Sequence, residues 1–218
     1  MANVNKPNGF SPVGTLSGAS WNQQGRMYAV ANDAANTYAI GDVVMSAASA
    51  SVLGVPLVTK WTGACAASGL PLGIIVGVQV ADPTVSLVGT SISLEKTYLL
   101  QSAGVHYVYV VDDPLIIFEA QFDVTGATLA QLHMNSSCTI TAADGLTPSA
   151  PYASTVLTSP ATTASLPIRL LGAVQRQGNE VTTAASPYIR ALCKWNFHEY
   201  GVQPQASNGA AGTSYLAQ

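Results

Sequence analysis

Three carboxylates, Asp112, Asp113 and Glu119, lie in the segment HYVYVVDDPLIIFEAQF at 106–122 and are the residues best placed to do chemistry. Paired carboxylates catalyse acid–base and glycoside chemistry when both reach the same reacting atom. Adjacent residues on an extended chain point to opposite faces, so Asp112 and Asp113 do not converge. Asp caps turns and Pro fixes φ, so Asp112-Asp113-Pro114 is typical of a turn between strands. We therefore predict a hairpin here rather than a catalytic dyad.

The second apolar run of this segment, LIIFEAQF at 115–122, alternates like a strand and separates Glu119 from the aspartates. A strand that begins buried on both sides and then opens one face to solvent has this pattern. One face carries Ile116, Phe118, Ala120 and Phe122, and the other carries Leu115, Ile117, Glu119 and Gln121.

The remaining reactive side chains show no catalytic or metal-binding spacing. The chain lacks the nucleophile elbow G-x-S-x-G, the phosphate-binding G-x-x-x-x-G-K-[ST] and the dinucleotide motif G-x-G-x-x-G. We predict no enzyme activity, no cofactor and no metal; a β-fold hydrolase, whose titratable groups would meet in a cleft, stays open as an alternative. The histidines and cysteines lie far apart in sequence, and we predict buried free thiols and a solvent-facing or interface His198; they are His106, His133, His198, Cys65, Cys138 and Cys193.

The composition favours a protein that lives in contact with other proteins. Of 218 residues, 48% are hydrophobic and only 9% are charged, compared with about 25% charged in an average domain. The net charge of −3 and the scattered basic residues argue against nucleic-acid or anionic-membrane partners. The N-terminus lacks a secretory pattern, and the most apolar stretch, 70–80, is too short for a membrane helix. We expect synthesis in a cytoplasm, followed by assembly.

The elements that position these residues are predicted to be short strands. Turn residues separate Val-, Ile- and Tyr-rich runs, and no helical crossovers intervene, which indicates an all-β barrel or sandwich of antiparallel strands. A short helix is predicted within 126–136, where Leu129 and Leu132 are three apart. The predicted strands cover 26–31, 42–47, 54–60, 72–80, 97–101, 106–111, 115–122, 166–175 and 186–197.

Three regions follow from the composition along the chain. Residues 1–25 are rich in Asn, Gly, Ser and Pro and form an extended N-terminal arm, whose spaced apolar residues Phe10, Leu16 and Trp21 dock on the protein's own core or on a neighbouring subunit. We assign these three residues to partner contact. Residues 26–200 form the β-rich core, in which 141–165 is a loop or β-arm insertion. Residues 201–218 form a loose tail.

Three ordered motifs resemble a family of small virion proteins of tailed bacteriophages that are encoded near the major capsid protein. The motifs are YVYVVDDPLIIFEAQ, LPIRLLGAVQRQGNE and YIRALCKWNFHEYG. The GDVV and GIIVGVQ segments are also similar to the barrel of capsid-decorating proteins, and the resemblance is weak only in 141–165. The matching residues are Asp112, Asp113, Pro114, Phe118, Glu119 and Gln121 in the first motif, Leu170, Gly172, Val174, Gln175, Arg176, Asn179 and Glu180 in the second, and Asn196 and His198, on either side of Phe197, in the third.

The resemblance implies a capsid decoration, or cement, protein with no catalytic residues, located on the outer surface of the virion. Its expected partners are the major capsid protein and further copies of itself. Binding that engages only the assembled shell stabilises that shell by mass action, and several linked contacts add avidity. We favour a homotrimer, which fits the three-fold positions of an icosahedral lattice, and a homodimer is the alternative. A tail-fibre or carbohydrate-binding adhesion module remains the alternative function.

Overall fold

The computed structural model describes residues 3–30, 37–51, 54–63, 69–79, 97–99, 106–134, 136–141, 153–163 and 165–201, and these residues form an all-β protein. The strands within them are β1 (Ser11–Thr15), β2 (Arg26–Val30), β3 (Tyr38–Ala39), β4 (Val43–Ala50), β5 (Pro56–Lys60), β6 (Gly73–Gln79), β7 (Tyr98–Leu99), β8 (His106–Val111), β9 (Ile116–Gln121), β10 (Ser137–Thr141), β11 (Val156–Ala161), β12 (Ile168–Ala173) and β13 (Arg190–Trp195). No helix in this described part of the chain is long and apolar enough to span a membrane.

Five strands close into a barrel in the order β2-β5-β4-β6-β8. β2 and β5 are parallel, and the other neighbours are antiparallel. A second sheet of six strands has the order β1-β9-β13-β12-β10-β11, and all of its pairs are antiparallel. β3 and β7 form a separate two-stranded pair. The predicted all-β class is confirmed, and the fold combines a barrel with an open sheet.

Strand alternation divides the apolar residues between two cores. Val44, Ile75 and Val110 pack inside the barrel. Their neighbours along the chain point to the opposite side of each strand, because successive side chains alternate. Val43, Ile74 and Val111 therefore pack outside the barrel, in a second core shared with the six-stranded sheet. The barrel strands are apolar on both faces for this reason, which accounts for the continuous apolar runs in their sequences.

The predicted hairpin at 112–114 is wrong, although the predicted turn is present. β8 ends at Val111 and belongs to the barrel, whereas β9 begins at Ile116 and belongs to the six-stranded sheet. The two strands do not pair with each other, and the turn instead carries the chain from one sheet to the next. Both strands carry apolar residues on their two faces. These residues are buried because the six-stranded sheet packs against the barrel.

All nine predicted strands are present, with shifts at their ends. β1, β3, β10 and β11 were not predicted as strands. β11 forms an edge of the six-stranded sheet, which supports a β-arm in the second half of 141–165; residues 142–152 lie outside the described part. The predicted helix is a single 3₁₀ turn at Leu129–Gln131. Leu129 is exposed whereas Leu132 packs against the core, so the two leucines do not form one buried helical face. The predicted tail, 201–218, lies outside the described residues except for Gly201.

Candidate functional site

Asp112 faces the end of the barrel and is nearly buried. Its Oδ2 accepts a hydrogen bond of 2.7 Å from the hydroxyl of Tyr28 and lies 3.2 Å from Nη1 of Arg26. The hydroxyl of Tyr28 is also 3.3 Å from that of Tyr200. Burial, reinforced by these hydrogen bonds with Tyr200 and Asp112, raises the pKa of Tyr28 far above its usual value. Tyr28 therefore stays protonated and holds Asp112 in place.

Asp113 has a different partner from Asp112 and stabilises the turn. Its Oδ1 accepts a 2.8 Å hydrogen bond from the backbone N–H of Leu115. This side-chain to backbone pattern two residues ahead is the Asx turn that the Asp-Pro sequence predicts. The predicted turn role of Asp113 is thus confirmed, and the two adjacent carboxylates have different partners.

Glu119 forms a third, separate set of contacts on β9. Its Oε1 lies 2.7 Å from Nη2 of Arg176 and 3.1 Å from Nη1 of Arg190. Glu119 and Arg190 are mostly buried, whereas Arg176 is about half exposed. Solvent therefore screens the Glu119–Arg190 ion pair less than the Glu119–Arg176 ion pair. The three carboxylates of the 106–122 segment do not form one cluster.

The arm lies in a polar cradle beside Glu119, which we define as Glu119, Gln121, Asn179, Glu180 and Arg190. Gln121 was expected on the solvent face of its strand, but it is buried because the arm covers it. Its Oε1 accepts a hydrogen bond from the backbone N–H of Lys6 at 3.1 Å, and its Nε2 donates to Asn5. Nη2 of Arg190 donates to the backbone carbonyl of Lys6 at 2.7 Å.

The loop after β12 completes this cradle. Asn3 Oδ1 accepts from the backbone N–H of Glu180 at 2.7 Å, and its Nδ2 donates to the Glu180 carbonyl. Asn179 joins the loop to β13, because it donates to the carbonyl of Arg190 and accepts from the N–H of the same residue. Residues from two separate sequence motifs, DDPLIIFEAQ and VQRQGNE, thus meet at one place, and they hold the arm there.

Phe10 anchors the arm in the protein's own core. Only 1% of it is exposed; its ring stacks on Trp195 at 6.1 Å between centroids and meets Phe118 edge-on at 6.2 Å. The backbone is close-packed just before it: a Cβ on Gly41 would lie 2.3 Å from the carbonyl oxygen of Asn8. Of the two alternatives for the arm, Phe10 thus docks on its own core and is not available to a partner.

Leu16 and Trp21 differ from Phe10, because both reach the surface. Leu16 is 42% exposed, and its N–H donates to the carbonyl of Leu115, which is 55% exposed. Leu16 and Leu115 therefore form an exposed apolar pair, which we call the arm rim. Trp21 is half-buried against the core shared by the two sheets. The predicted partner contacts of Leu16 and Trp21 stay predictions.

A groove of about 870 Å³ runs between the end of the arm and the rim of the barrel. The arm turns back at Gly18, whose φ of +89° is readily adopted only by glycine. The residues lining the groove include aromatic, hydroxyl, amide and carboxylate groups: Thr15, Ser17, Ala19, Ser20, Trp21, Asn22, Gln24, Gly25, Arg26, Val111, Asp112, Asp113, Pro114, Ile116 and Tyr200. Arg26, Tyr28 and Tyr200 were not identified from the sequence, since no spacing marks them.

His198 lies beneath this groove and is buried, so the predicted solvent-facing position is wrong. Its ring packs between Trp195 and Tyr200, and its Nδ1 accepts the backbone N–H of Tyr200 at 3.1 Å. Burial lowers the pKa of His198, against the opposing effects of a hydrogen bond to the Leu72 backbone and of the charges of Asp112 and Asp113. The chain folds back over Leu72 after β13, and this return buries a residue that would otherwise end an exposed strand.

A buried ion pair outside the groove was also missed. Asp42 and Lys60 lie 3.3 Å apart with almost no exposure, and Asp42 also accepts hydrogen bonds from the N–H of Ala39 and the hydroxyl of Thr155. Burial raises the pKa of Asp42, and the charge of Lys60 and these hydrogen bonds oppose the rise. In the sequence, Asp42 is only the first residue of the predicted strand 42–47, and a local strand pattern gives no signal of the distant partners Lys60 and Thr155.

The described cysteines are buried, and the described residues contain no grouped set of metal ligands. Cys138 and Cys193 are buried free thiols as predicted, and burial raises the pKa of both; Cys65 lies outside the described residues. Within the ranges that the structure describes, no three His, Cys, Asp or Glu residues are grouped to hold a metal ion. The fold and its groove define an all-β protein with a docked arm and one lined recess beside it. No family model, no curated protein and no solved structure matches the chain.

Proposed function

We propose that this chain is a capsid decoration protein, which binds the outside of an assembled phage capsid and holds neighbouring coat subunits together. The observation that carries the proposal is the docked arm with its exposed apolar rim. The arm is fixed by Phe10 and the polar cradle, yet it presents Leu16 and Leu115 to solvent. Apolar side chains on an ordered edge can bind a partner with little ordering cost.

The weakly charged surface supports the same proposal. Only 9% of the residues are charged, and ion pairs hold Arg26, Lys60, Arg176 and Arg190 against carboxylates of the same chain. Contacts with the coat protein would therefore depend little on salt, because a small share of the residues is charged. The resemblance of the three sequence motifs to those of phage virion proteins supports the major capsid protein as the proposed partner.

Self-association would strengthen this binding. If each complex carries two or three arm rims, it engages several coat subunits at once, and modest single contacts combine into strong avidity. A trimer at three-fold positions is our preferred arrangement, and a dimer at two-fold positions is the alternative.

The copy number of the chain in purified virions tests the proposal, measured by quantitative mass spectrometry against the major coat protein. We expect hundreds of copies, near one per coat subunit or a simple fraction of that number. A few copies per particle would instead place the chain at the tail or a vertex and support the adhesion alternative. Complete absence from virions would refute both.

The arm rim itself is tested with a charge substitution and a matched control. Leu16→Asp places a carboxylate in the proposed contact, whereas Leu129→Asp changes a leucine on the 3₁₀ turn that is also exposed. Loss of the buried leucine contact is worth about 1.5–3 kcal/mol, so Leu16→Asp should weaken binding to capsids assembled without this chain by about tenfold or more. Equal binding by the two variants would remove the arm rim from the interface.

A further inference from the structure

The groove between the arm and the barrel rim has the chemistry of a ligand site rather than of a protein contact. We propose that it binds a neutral oligosaccharide, with Trp21 and Tyr200 as the stacking surfaces. This activity goes beyond capsid decoration and would give the outer face of the protein an affinity for glycans. The volume of the groove, about 870 Å³, lies within the roughly 300–1,000 Å³ typical of small-molecule sites.

Aromatic rings line the groove and are held in position. Tyr200 is 56% exposed, and its hydroxyl lies 3.3 Å from that of the buried Tyr28. Trp21 packs with part of its side chain against the core and lines the groove. The C–H face of a sugar ring is apolar and stacks on such rings, which supply much contact area at a low cost in conformational entropy.

Uncharged polar groups line the remaining wall. Ser17, Ser20, Asn22 and Gln24 come from the turn of the arm. Hydroxyl and amide groups both donate and accept hydrogen bonds, so they match sugar hydroxyls, which also do both. Asn22 is held in place, since its Oδ1 accepts the backbone N–H of Gln24 at 3.3 Å. A purely apolar partner would leave these groups without partners when it covered them, which is unfavourable.

The charges of the groove favour a neutral ligand over an anionic one. The lining contains one cation, Arg26, and two carboxylates, Asp112 and Asp113. Arg26 is already paired with Asp112 at 3.2 Å, and Asp113 is exposed. A sulfated or phosphorylated polymer would approach a groove with an excess of negative charge. The exposed carboxylate can instead accept hydrogen bonds from hydroxyl groups, and these charged acceptors are the stronger ones.

Tryptophan fluorescence provides a direct test, because Trp21 is the most accessible of the three tryptophans. Trp61 and Trp195 are 1% and 3% exposed, so a soluble quencher such as iodide reports mainly on Trp21. The full chain would be titrated with neutral di- to tetrasaccharides of glucose, galactose, mannose and N-acetylglucosamine, and with a sulfated trisaccharide for comparison. We expect at least one neutral sugar to protect Trp21 from iodide, and the sulfated one not to do so.

Three variants locate the binding. Tyr200→Ala and Asn22→Ala should each weaken binding of the protective sugar at least fivefold, whereas Tyr200→Phe keeps the stacking ring and should stay within about threefold of the parent. Circular dichroism and thermal unfolding would confirm that each variant is folded, and Asn22, on the exposed loop, provides a result even if Tyr200→Ala does not fold. Leu129→Ala, on the exposed 3₁₀ turn, is the control and should leave binding unchanged.

Several outcomes would overturn the inference. The first is no protection by any neutral sugar, and the second is protection by the sulfated sugar alone. The third is an unchanged sugar affinity in both Asn22→Ala and a Tyr200→Ala variant that is folded. Loss of capsid attachment in Asn22→Ala without any sugar binding would assign the groove to the coat protein instead. Capsid binding is tested separately by Leu16→Asp, so failure of the glycan site leaves the decoration proposal standing, and the reverse also holds.

Discussion

The strongest structural test is the substitution Phe10→Ala, because Phe10 decides whether the arm belongs to the protein's own core. Truncating a buried phenylalanine to alanine costs about 3–5 kcal/mol in free energy of unfolding. Part of this loss is the stacking of Phe10 on Trp195 and its edge contact with Phe118, each worth about 0.5–1.5 kcal/mol. We therefore expect a decrease of about 3 kcal/mol or more, unless the arm detaches first.

Detachment of the arm sets an upper limit on the loss. The arm is joined to the barrel through the exposed turn near Gly18, so it can leave while the barrel stays folded. In that case the measured loss cannot exceed the free energy that docks the arm. Amide hydrogen exchange distinguishes the two cases: the N–H groups of Lys6 and Phe10, which donate to Gln121 and Gly41, would lose protection before those of β8.

The assay is denaturant unfolding followed by the fluorescence of Trp195, combined with hydrogen exchange of residues 3–10. Val4→Ala is the matched control in the same arm, because Val4 is 74% exposed; its effect should stay within about 0.5 kcal/mol. A Phe10→Ala variant that loses less than about 1 kcal/mol and keeps normal exchange in the arm would refute the role of Phe10 as the anchor of the arm in the core. It would also return Phe10 to the set of partner-contact residues. Deletion of residues 2–20 is a poorer test, because it also removes β1 and uncovers Gln121.

Three further perturbations probe the cradle and the buried histidine. Gly41→Ala should lower the free energy of unfolding by at least about 1–3 kcal/mol, since its φ is +96° and the new Cβ would clash with the arm backbone; normal exchange protection in the arm would contradict this. Glu119→Gln should lower the free energy of unfolding by about 1–3 kcal/mol, because it leaves the mostly buried Arg190 of β13 without its counter-ion. Arg176→Gln should lower it by no more than about 1 kcal/mol, because Arg176 is half exposed. Equal losses for the two variants in denaturant unfolding would argue against this difference in burial. The folded-state pKa of His198 is lowered, so the unfolded chain takes up its proton first, and stability should decrease as pH falls below about 6.5 until the folded-state pKa is reached. His198→Gln should flatten that part of the curve; an unchanged slope in His198→Gln would show that another group titrates there.

Local sequence was sufficient to predict the strands and the turn. β8 and the first half of β9 are rich in β-branched and aromatic residues, and such runs favour extended structure wherever they lie in the fold. Asp113 behaves as predicted, because an Asx turn depends only on residues two positions apart. The strands that escaped prediction, such as β10 with the sequence SCTIT, have too few apolar residues to reveal an alternating pattern.

Strand pairing and burial were decided by contacts between residues far apart in sequence. Nothing local to Asp112-Asp113-Pro114 shows that β8 closes a barrel while β9 joins another sheet, because each strand could pair on either edge. Gln121 and His198 look like surface residues in the sequence, and they are buried by segments more than 100 residues away: the arm covers Gln121, and the strand that begins near Leu72 covers His198.

The amino-acid sequence by itself thus determined the all-β class, the extended segments and the low surface charge, since these depend on residue type and short-range periodicity. Only the tertiary structure decided which partner each carboxylate has, that Phe10 is core rather than interface, and that the end of the arm forms a groove with the barrel rim. These features depend on contacts between segments that are distant in sequence. The free energy of those contacts comes from apolar surface that the segments bury together, so no single stretch of the sequence encodes it.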